Sequence, residues 1–303
     1  MIKPLMHKSC SPVVLFVYNR PRHAEETLRA LTANTLAART PLIVYSDAAR
    51  SETDTPLVQE TRSLLKAISG FASVAIYERE CNFGLADSIA DGVTNTIHAY
   101  GRAIVLEDDI VSSPHFLEYM NTALARYEHE ERVMHVAAHV PPISPEGLPE
   151  SYFLRQSSCW GWGTWARAWR HFHRRGQEFI DTFTANDIKR FNLDGAYDYW
   201  NQLLVNENGA LKTWAVYWYA CVFSQNGLCL HPRQSLVQNI GFDGSGENCG
   251  VGEGDAAVFE AKAPTSYPDI LEEHGPAMSL YQRQLRGVAP QGWLGRIRNF
   301  FCR

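Results

Sequence analysis

Three consecutive carboxylates, Glu107-Asp108-Asp109, stand directly behind the apolar run Ile104-Val105-Leu106. Like charges crowded at one point repel unless something positive shares the site. A hard cation such as Mg2+ or Mn2+, bridged to a phosphate, would do so. The same run also reads as a solvated acidic turn ahead of a helix cap at Ser112 or Ser113. Polar residues recur behind other apolar runs: Tyr18-Asn19-Arg20-Pro21 closes 12–18, and Ser46-Asp47 closes 42–45. Arg20 can reach a phosphate, and Asp47 can accept from an N–H or hydroxyl of a base or sugar. In Cys81-Asn82-Phe83-Gly84-Leu85-Ala86-Asp87-Ser88 a loop runs into a helix. Gly84 there permits close backbone approach, and the helix N-terminus favours an anion.

Three patterns in the second half also suit chemistry. Trp160-Gly161-Trp162 sets flat rings beside a glycine, which suits the apolar faces of sugars; packing between the two halves is the competing role. Tyr197-Asp198-Tyr199-Trp200 places one carboxylate among aromatics at a helix start, as a general base or as a stabiliser of the helix N-terminus. The polar, glycine-rich stretch 235–248 has the composition of a lid, with Asn239, Gly241 and Ser245 as contacts, or of a long surface loop.

The elements that must position these residues follow from periodicity. Buried strands are predicted at 12–18, 42–45, 73–77, 102–106 and 133–136, and helices at 21–38, 57–68, 85–98 and 113–131. Strands separated by helices imply crossover units and a mostly parallel sheet covered on both faces. The carboxyl ends of parallel strands share one edge, where ligands sit, so the polar strand ends should converge. Four prolines between Pro141 and Pro149 mark a seam, and seven of the eight tryptophans lie between Trp160 and Trp218, beyond it. Helices are predicted there at 162–171, 195–208 and 214–225.

Composition narrows the class. The chain has 303 residues, 45% hydrophobic and 20% charged, with a net charge of −5, which gives no support to a nucleic-acid platform. Its seven cysteines include no Cys-x-x-Cys pair, pointing to a reducing compartment without structural zinc. No stretch reaches the apolar length of a membrane span, and the first apolar run is too short for a secretory core. Gly-x-Gly-x-x-Gly and Walker patterns are absent behind the first strand. In the basic tail 283–303, Trp293, Ile297, Phe300 and Phe301 share one helical face, which suits an anionic membrane surface or a terminal helix docked on the domain.

Taken together, the segments 17–21, 46–47, 82–85, 106–110, 161–165, 197–200 and 235–246 resemble the nucleotide-sugar-dependent glycosyltransferases of the GT-A fold. The likeness is strongest to bacterial members akin to the Golgi N-acetylglucosaminyltransferase that initiates complex N-glycan branching. It implies a mixed, mostly parallel sheet of Rossmann-like character flanked by helices. Residues 1–138 would form the nucleotide-sugar half of one domain and 139–282 the acceptor and catalytic half. The resemblance assigns Asp109 to the metal (Mn2+ or Mg2+), Asp108 to the donor ribose with Glu107 beside it, and Asp47 to the base. Tyr18, Asn19, Arg20, Pro21, Asn82, Gly84 and Ser88 would complete the donor site. Trp160, Gly161, Trp162 and Trp200 would contact acceptor or sugar.

Asp198 falls where the family places the catalytic base of an inverting transfer, although Tyr199 replaces that segment's second acidic residue. The implied reaction moves a sugar, from UDP in the first instance, to a hydroxyl of a glycan or glycolipid in capsule, lipopolysaccharide or protein glycosylation. A cytoplasmic protein, peripheral at the inner face of the membrane, is expected. A sugar nucleotidyltransferase and a non-catalytic glycan-binding protein are the competing readings. The first lacks its basic glycine-rich loop between Val17 and Arg29, and the second leaves the acidic triplet unexplained.

Overall fold

The computed structural model describes residues 10–245, 259 and 262–287. The first half lays down β1 (Val13–Val17), α1 (Pro21–Thr32), β2 (Pro41–Ser46), α2 (Thr55–Leu65), β3 (Ser73–Glu78), α3 (Leu85–Tyr100) and β4 (Arg102–Glu107). It continues with β5 (Ile110–Ser112), α4 (Phe116–Arg126) and β6 (Val133–Ala137). The second half adds β7 (Ser151–Leu154), β8 (Trp162–Trp165), α5 (Ala166–Trp169), α6 (Gly176–Thr182) and α7 (Ala185–Phe191). Then come α8 (Tyr199–Glu207), α9 (Ala215–Ser224), β9 (Leu228–Pro232), β10 (Val237–Asn239) and α10 (Gly275–Gly287).

Eight strands form one sheet in the order β3-β2-β1-β4-β8-β6-β9-β7. β1 through β4 run parallel, β8 is antiparallel to both β4 and β6, β9 is parallel to β6, and β7 is an antiparallel edge. This is the mixed, mainly parallel α/β architecture expected. The central strands are buried on both faces, so they carry continuous apolar runs (Val13–Val17 and 103–106) rather than an alternating pattern. α1 turns Ala24, Thr27, Leu28 and Leu31 inward, the spacing of one helical face, and Pro21 occupies its first turn. Together with α4 it covers one face of the sheet; α3, α5, α8 and α9 cover the other. Strands from both halves interleave, since β8 enters between β4 and β6.

Several elements differ from the sequence-based expectation. The stretch 162–171 begins as a strand, because Trp162 and Gly163 pair with Val105 and Ile104, and only Ala166–Trp169 is helical. Long-range pairing outweighs local pattern there. α1 ends at Thr32 rather than 38, α8 begins at Tyr199 rather than 195, and 113–131 yields α4 at Phe116–Arg126. The tail residues Trp293, Ile297, Phe300 and Phe301 lie outside the described residues. Among the described residues no helix is long and apolar enough to cross a membrane.

Candidate functional site

The carboxyl ends of β1, β2 and β4 lie side by side, and the N-terminus of α3 closes the space in front of them. A cleft opens there. Tyr18, Asn19, Arg20, Asp47, Asn82, Gly84, Ser88, Glu107, Asp108 and Ser245 all line it, so residues up to 227 positions apart in sequence meet at one edge. Phe16, Val17, Tyr45, Arg50 and Leu85 line it as well. Sequence reading missed these, because Phe16 and Tyr45 look like ordinary strand core.

The acidic turn is buried, not solvated: Glu107, Asp108 and Asp109 are 4%, 3% and 0% exposed. Arg20 supplies a positive partner: its guanidinium pairs with Asp108 and lies 3.0 Å from Asp109 Oδ2. The Tyr18 N–H donates to Asp108 Oδ2 at 3.4 Å, and the Thr27 hydroxyl donates to the Asp108 carbonyl at 2.8 Å. These contacts hold the turn where β4 ends. Asp109 itself lies behind the cleft surface rather than on it.

Among the described residues no group of three His, Cys, Asp or Glu side chains is placed to hold a metal. Two hard carboxylates at a strand end suit Mg2+ or Mn2+ when phosphate oxygens and water complete the coordination. Asp108 and Asp109 are the residues that would hold such an ion, and here Arg20 occupies both carboxylates.

Asp47 does local work. Its Oδ1 accepts from the N–H groups of Ala48 at 3.0 Å and Phe83 at 2.9 Å, and its Oδ2 accepts from Gly84 N–H at 2.9 Å. Asn82 adds a bond from Nδ2 to the Ala48 carbonyl at 2.7 Å. The loop before α3 is thus pinned to the end of β2, and Gly84, at φ +70°, makes the turn into the helix. Arg79 lies over the rings of Tyr45 and Phe83, 4.9 and 4.1 Å from their centroids. Burial raises the Tyr45 phenol above its ordinary range, so it stays neutral.

The stretch read as a lid is partly fixed. β10 pairs antiparallel with β5, Asn239 opposite Ile110, and the Ile240 N–H donates to the Asp109 carbonyl at 2.9 Å. Asn239 is buried, its Oδ1 accepting from Gly241 N–H at 2.7 Å. His23 Nε2 lies 3.3 Å from Asp243 Oδ2, tying the following turn to α1 and setting Ser245 at the cleft. Hydrogen bonding by Ser245 lowers the Asp243 carboxyl, with a smaller opposing effect of burial.

The aromatic candidates fall elsewhere. Trp162 is 1% exposed, stacked on His135 and Trp214, and so presents no ring face to a sugar. Trp160 is buried against His139 and Phe242, and Trp200 is half-buried on Phe183. Gly161, at φ +65°, packs where a Cβ would come within 2.9 Å of Val237, so the need for glycine is explained by packing. Pro21 starts α1 and does not line the cleft. Asp198 also lies off the cleft lining: it is exposed and caps α8, accepting from Asn201 N–H and Asn192 Nδ2, each at 3.1 Å.

No family model matches the chain, and no curated protein matches it. Among solved structures it is similar to S. aureus TarS, at 15% identity and a TM-score of 0.29 over 46% of this chain. The chain spans only 23% of the length of that protein. It is also similar to the mannosyltransferase PcManGT from Pyrobaculum calidifontis, solved in complex with GDP-Man and Mn2+. There the identity is 11% and the TM-score 0.39, over 72% of this chain and 75% of that one. Likenesses this distant do not identify a family.

Proposed function

We propose that the chain is an inverting glycosyltransferase that takes a sugar from a nucleoside diphosphate, UDP favoured, to a hydroxyl of a glycan or glycolipid. The observation that carries this reading is the convergence of three parallel strand ends on one cleft, where a buried acidic turn, Arg20 and the Asp47-anchored loop meet. An aromatic wall at Phe16 and Tyr45 with a cation and paired carboxylates at Arg20, Asp108 and Asp109 suits a molecule with a flat base at one end and a diphosphate at the other. A glycan-binding module has no use for this charge pattern.

In the reaction Arg20 would draw charge from the departing diphosphate, and Asp108 would accept from the ribose. Asp109 would hold the divalent ion, which supplies further neutralisation of the leaving group. Asp198 would take the proton of the acceptor hydroxyl as that oxygen bonds to the anomeric carbon and the glycosidic bond to the diphosphate breaks. Its carboxylate is exposed and therefore open to an acceptor hydroxyl. The second half would supply the acceptor side.

The test is a thermal-shift and donor-hydrolysis screen of nucleotide sugars with Mn2+ or Mg2+. One donor at a hundredfold excess over Kd should stabilise the fold by about 2.7 kcal/mol. A screen with neither a shift nor hydrolysis would overturn the reading. Asp109→Ala should weaken metal-dependent donor binding at least tenfold, as read by calorimetry with and without chelator; unchanged metal dependence would remove Asp109 from the site.

A further inference from the structure

We propose that Ser88 reads the base of the donor nucleotide and selects uracil against guanine, an inference that rests on the nucleotide-sugar reading above. Ser88 is the fourth residue of α3, lines the cleft and is 4% exposed. Its Oγ is buried and has no hydrogen-bond partner among the described residues. A helical serine or threonine ordinarily bonds back to the carbonyl four residues earlier. Thr32, Thr61 and Ser63 of this chain do so, onto Leu28, Leu57 and Gln59. A buried hydroxyl left without a partner destabilises the unliganded fold, and a ligand that bonds to it removes that penalty.

The surroundings define the ligand. Phe16 and Tyr45, stacked with ring centroids 5.6 Å apart, line the same cleft, while Arg20, one of its two arginines, pairs with the acidic turn. An aromatic wall with a few fixed polar groups suits a flat heteroaromatic ring. Asp47, in the same cleft, sets the second condition. Three of the roughly four acceptor positions of a carboxylate are filled there by the N–H groups of Ala48, Phe83 and Gly84, which leaves about one. Guanine presents two adjacent N–H donors, which call for both carboxylate oxygens. Uracil presents a single N–H flanked by carbonyls: the N–H meets the remaining position on Asp47, and a carbonyl accepts from Ser88.

The experiment is calorimetry of UDP, GDP, CDP and ADP, and of inorganic pyrophosphate, on the wild-type chain and on Ser88→Ala, with Mg2+ present. The wild type should bind UDP at least tenfold tighter than GDP. Ser88→Ala should lose about tenfold for UDP, keep its pyrophosphate affinity, and melt no lower than the wild type without ligand. That last result separates ligand reading from a structural role, since a structural hydroxyl would lower the melting temperature when removed. Tight UDP binding that is indifferent to Ser88→Ala overturns this inference and leaves the donor reading standing. A wild-type preference for GDP, CDP or ADP also overturns it. Failure of every nucleoside diphosphate to bind overturns the donor reading and this inference with it.

Discussion

Asp198 caps α8 and is proposed as the catalytic base, and a pair of substitutions tells the two roles apart. Its carboxylate caps α8 through Asn201 N–H, and asparagine caps a helix about as well as aspartate. Asp198→Asn should therefore hold stability and donor affinity while lowering transfer by about 10²- to 10⁴-fold, the usual contribution of a general base. Asp198→Ala should lose about 1 kcal/mol of stability in addition. Denaturant unfolding and steady-state transfer kinetics decide it, and full activity in Asp198→Asn would leave the cap as the only role. Asp47 shows the same duality, because the residue facing the cleft is also the one that pins Phe83 and Gly84 in place. At this scale the sequence exposed residue types well. It could not reveal that the acidic turn pairs with Arg20, since those groups are 88 and 89 positions apart.

α3 is the element on which the cleft depends. It starts at Gly84 beside the bound loop, ends at Gly101 in the left-handed region, and presents Gly92 to the aromatic wall. A Cβ at Gly92 would stand 2.7 Å from Phe16 and 2.8 Å from Tyr45. Alanine ordinarily favours a helix over glycine by about 1 kcal/mol, whereas overpacking costs about 1–3 kcal/mol. Gly92→Ala should come out destabilising, by up to about 2 kcal/mol on those ranges, and should weaken nucleotide binding because both displaced rings line the cleft. Denaturant midpoints and nucleotide titration check this; a more stable variant would show that the rings yield freely. The first-half strands and helices were legible because each carries its own period. β8 was not, because Trp162–Trp165 is a strand only by virtue of its place between β4 and β6.

Across the whole molecule, β6 and β9 bring two histidines into the core, where they are buried without charge. His135 bonds to Trp218 Nε1 and to the Ser158 carbonyl, and burial depresses its imidazole from 6.5 to about 3, helped by nearby His231. Burial likewise takes His231 from 6.5 to about 4, against hydrogen bonds to the Gln156 and His139 backbone. The unfolded chain protonates both groups below its ordinary value, while the folded chain does not until pH 4 or lower. Their contribution is thus fully present above about pH 6.5 and is lost as the pH falls. With two protons taken up on unfolding, stability should drop by up to about 2.7 kcal/mol per pH unit between pH 6 and pH 4. Urea unfolding at pH 7.5 and pH 5 should differ by about 3–4 kcal/mol from these two groups. Equal stabilities would mean that both histidines take up protons in the fold as readily as in the unfolded chain.

By itself the sequence determined the alternation of strand and helix through the first half, and with it the placing of polar residues behind β1, β2 and β4. Those features are local: an unbroken apolar run, a helical face, a proline in a first turn. Tertiary structure alone decided which polar groups meet. It buried the acidic triplet against Arg20, committed three positions of Asp47 to backbone, strapped β10 to β5, turned Trp162 into core and left the Ser88 hydroxyl at the cleft without a partner among the described residues. The reason is physical. Charge pairing, desolvation and hydrogen-bond satisfaction depend on neighbours brought together by the sheet order, and strand pairing sets that order across separations that no local pattern spans.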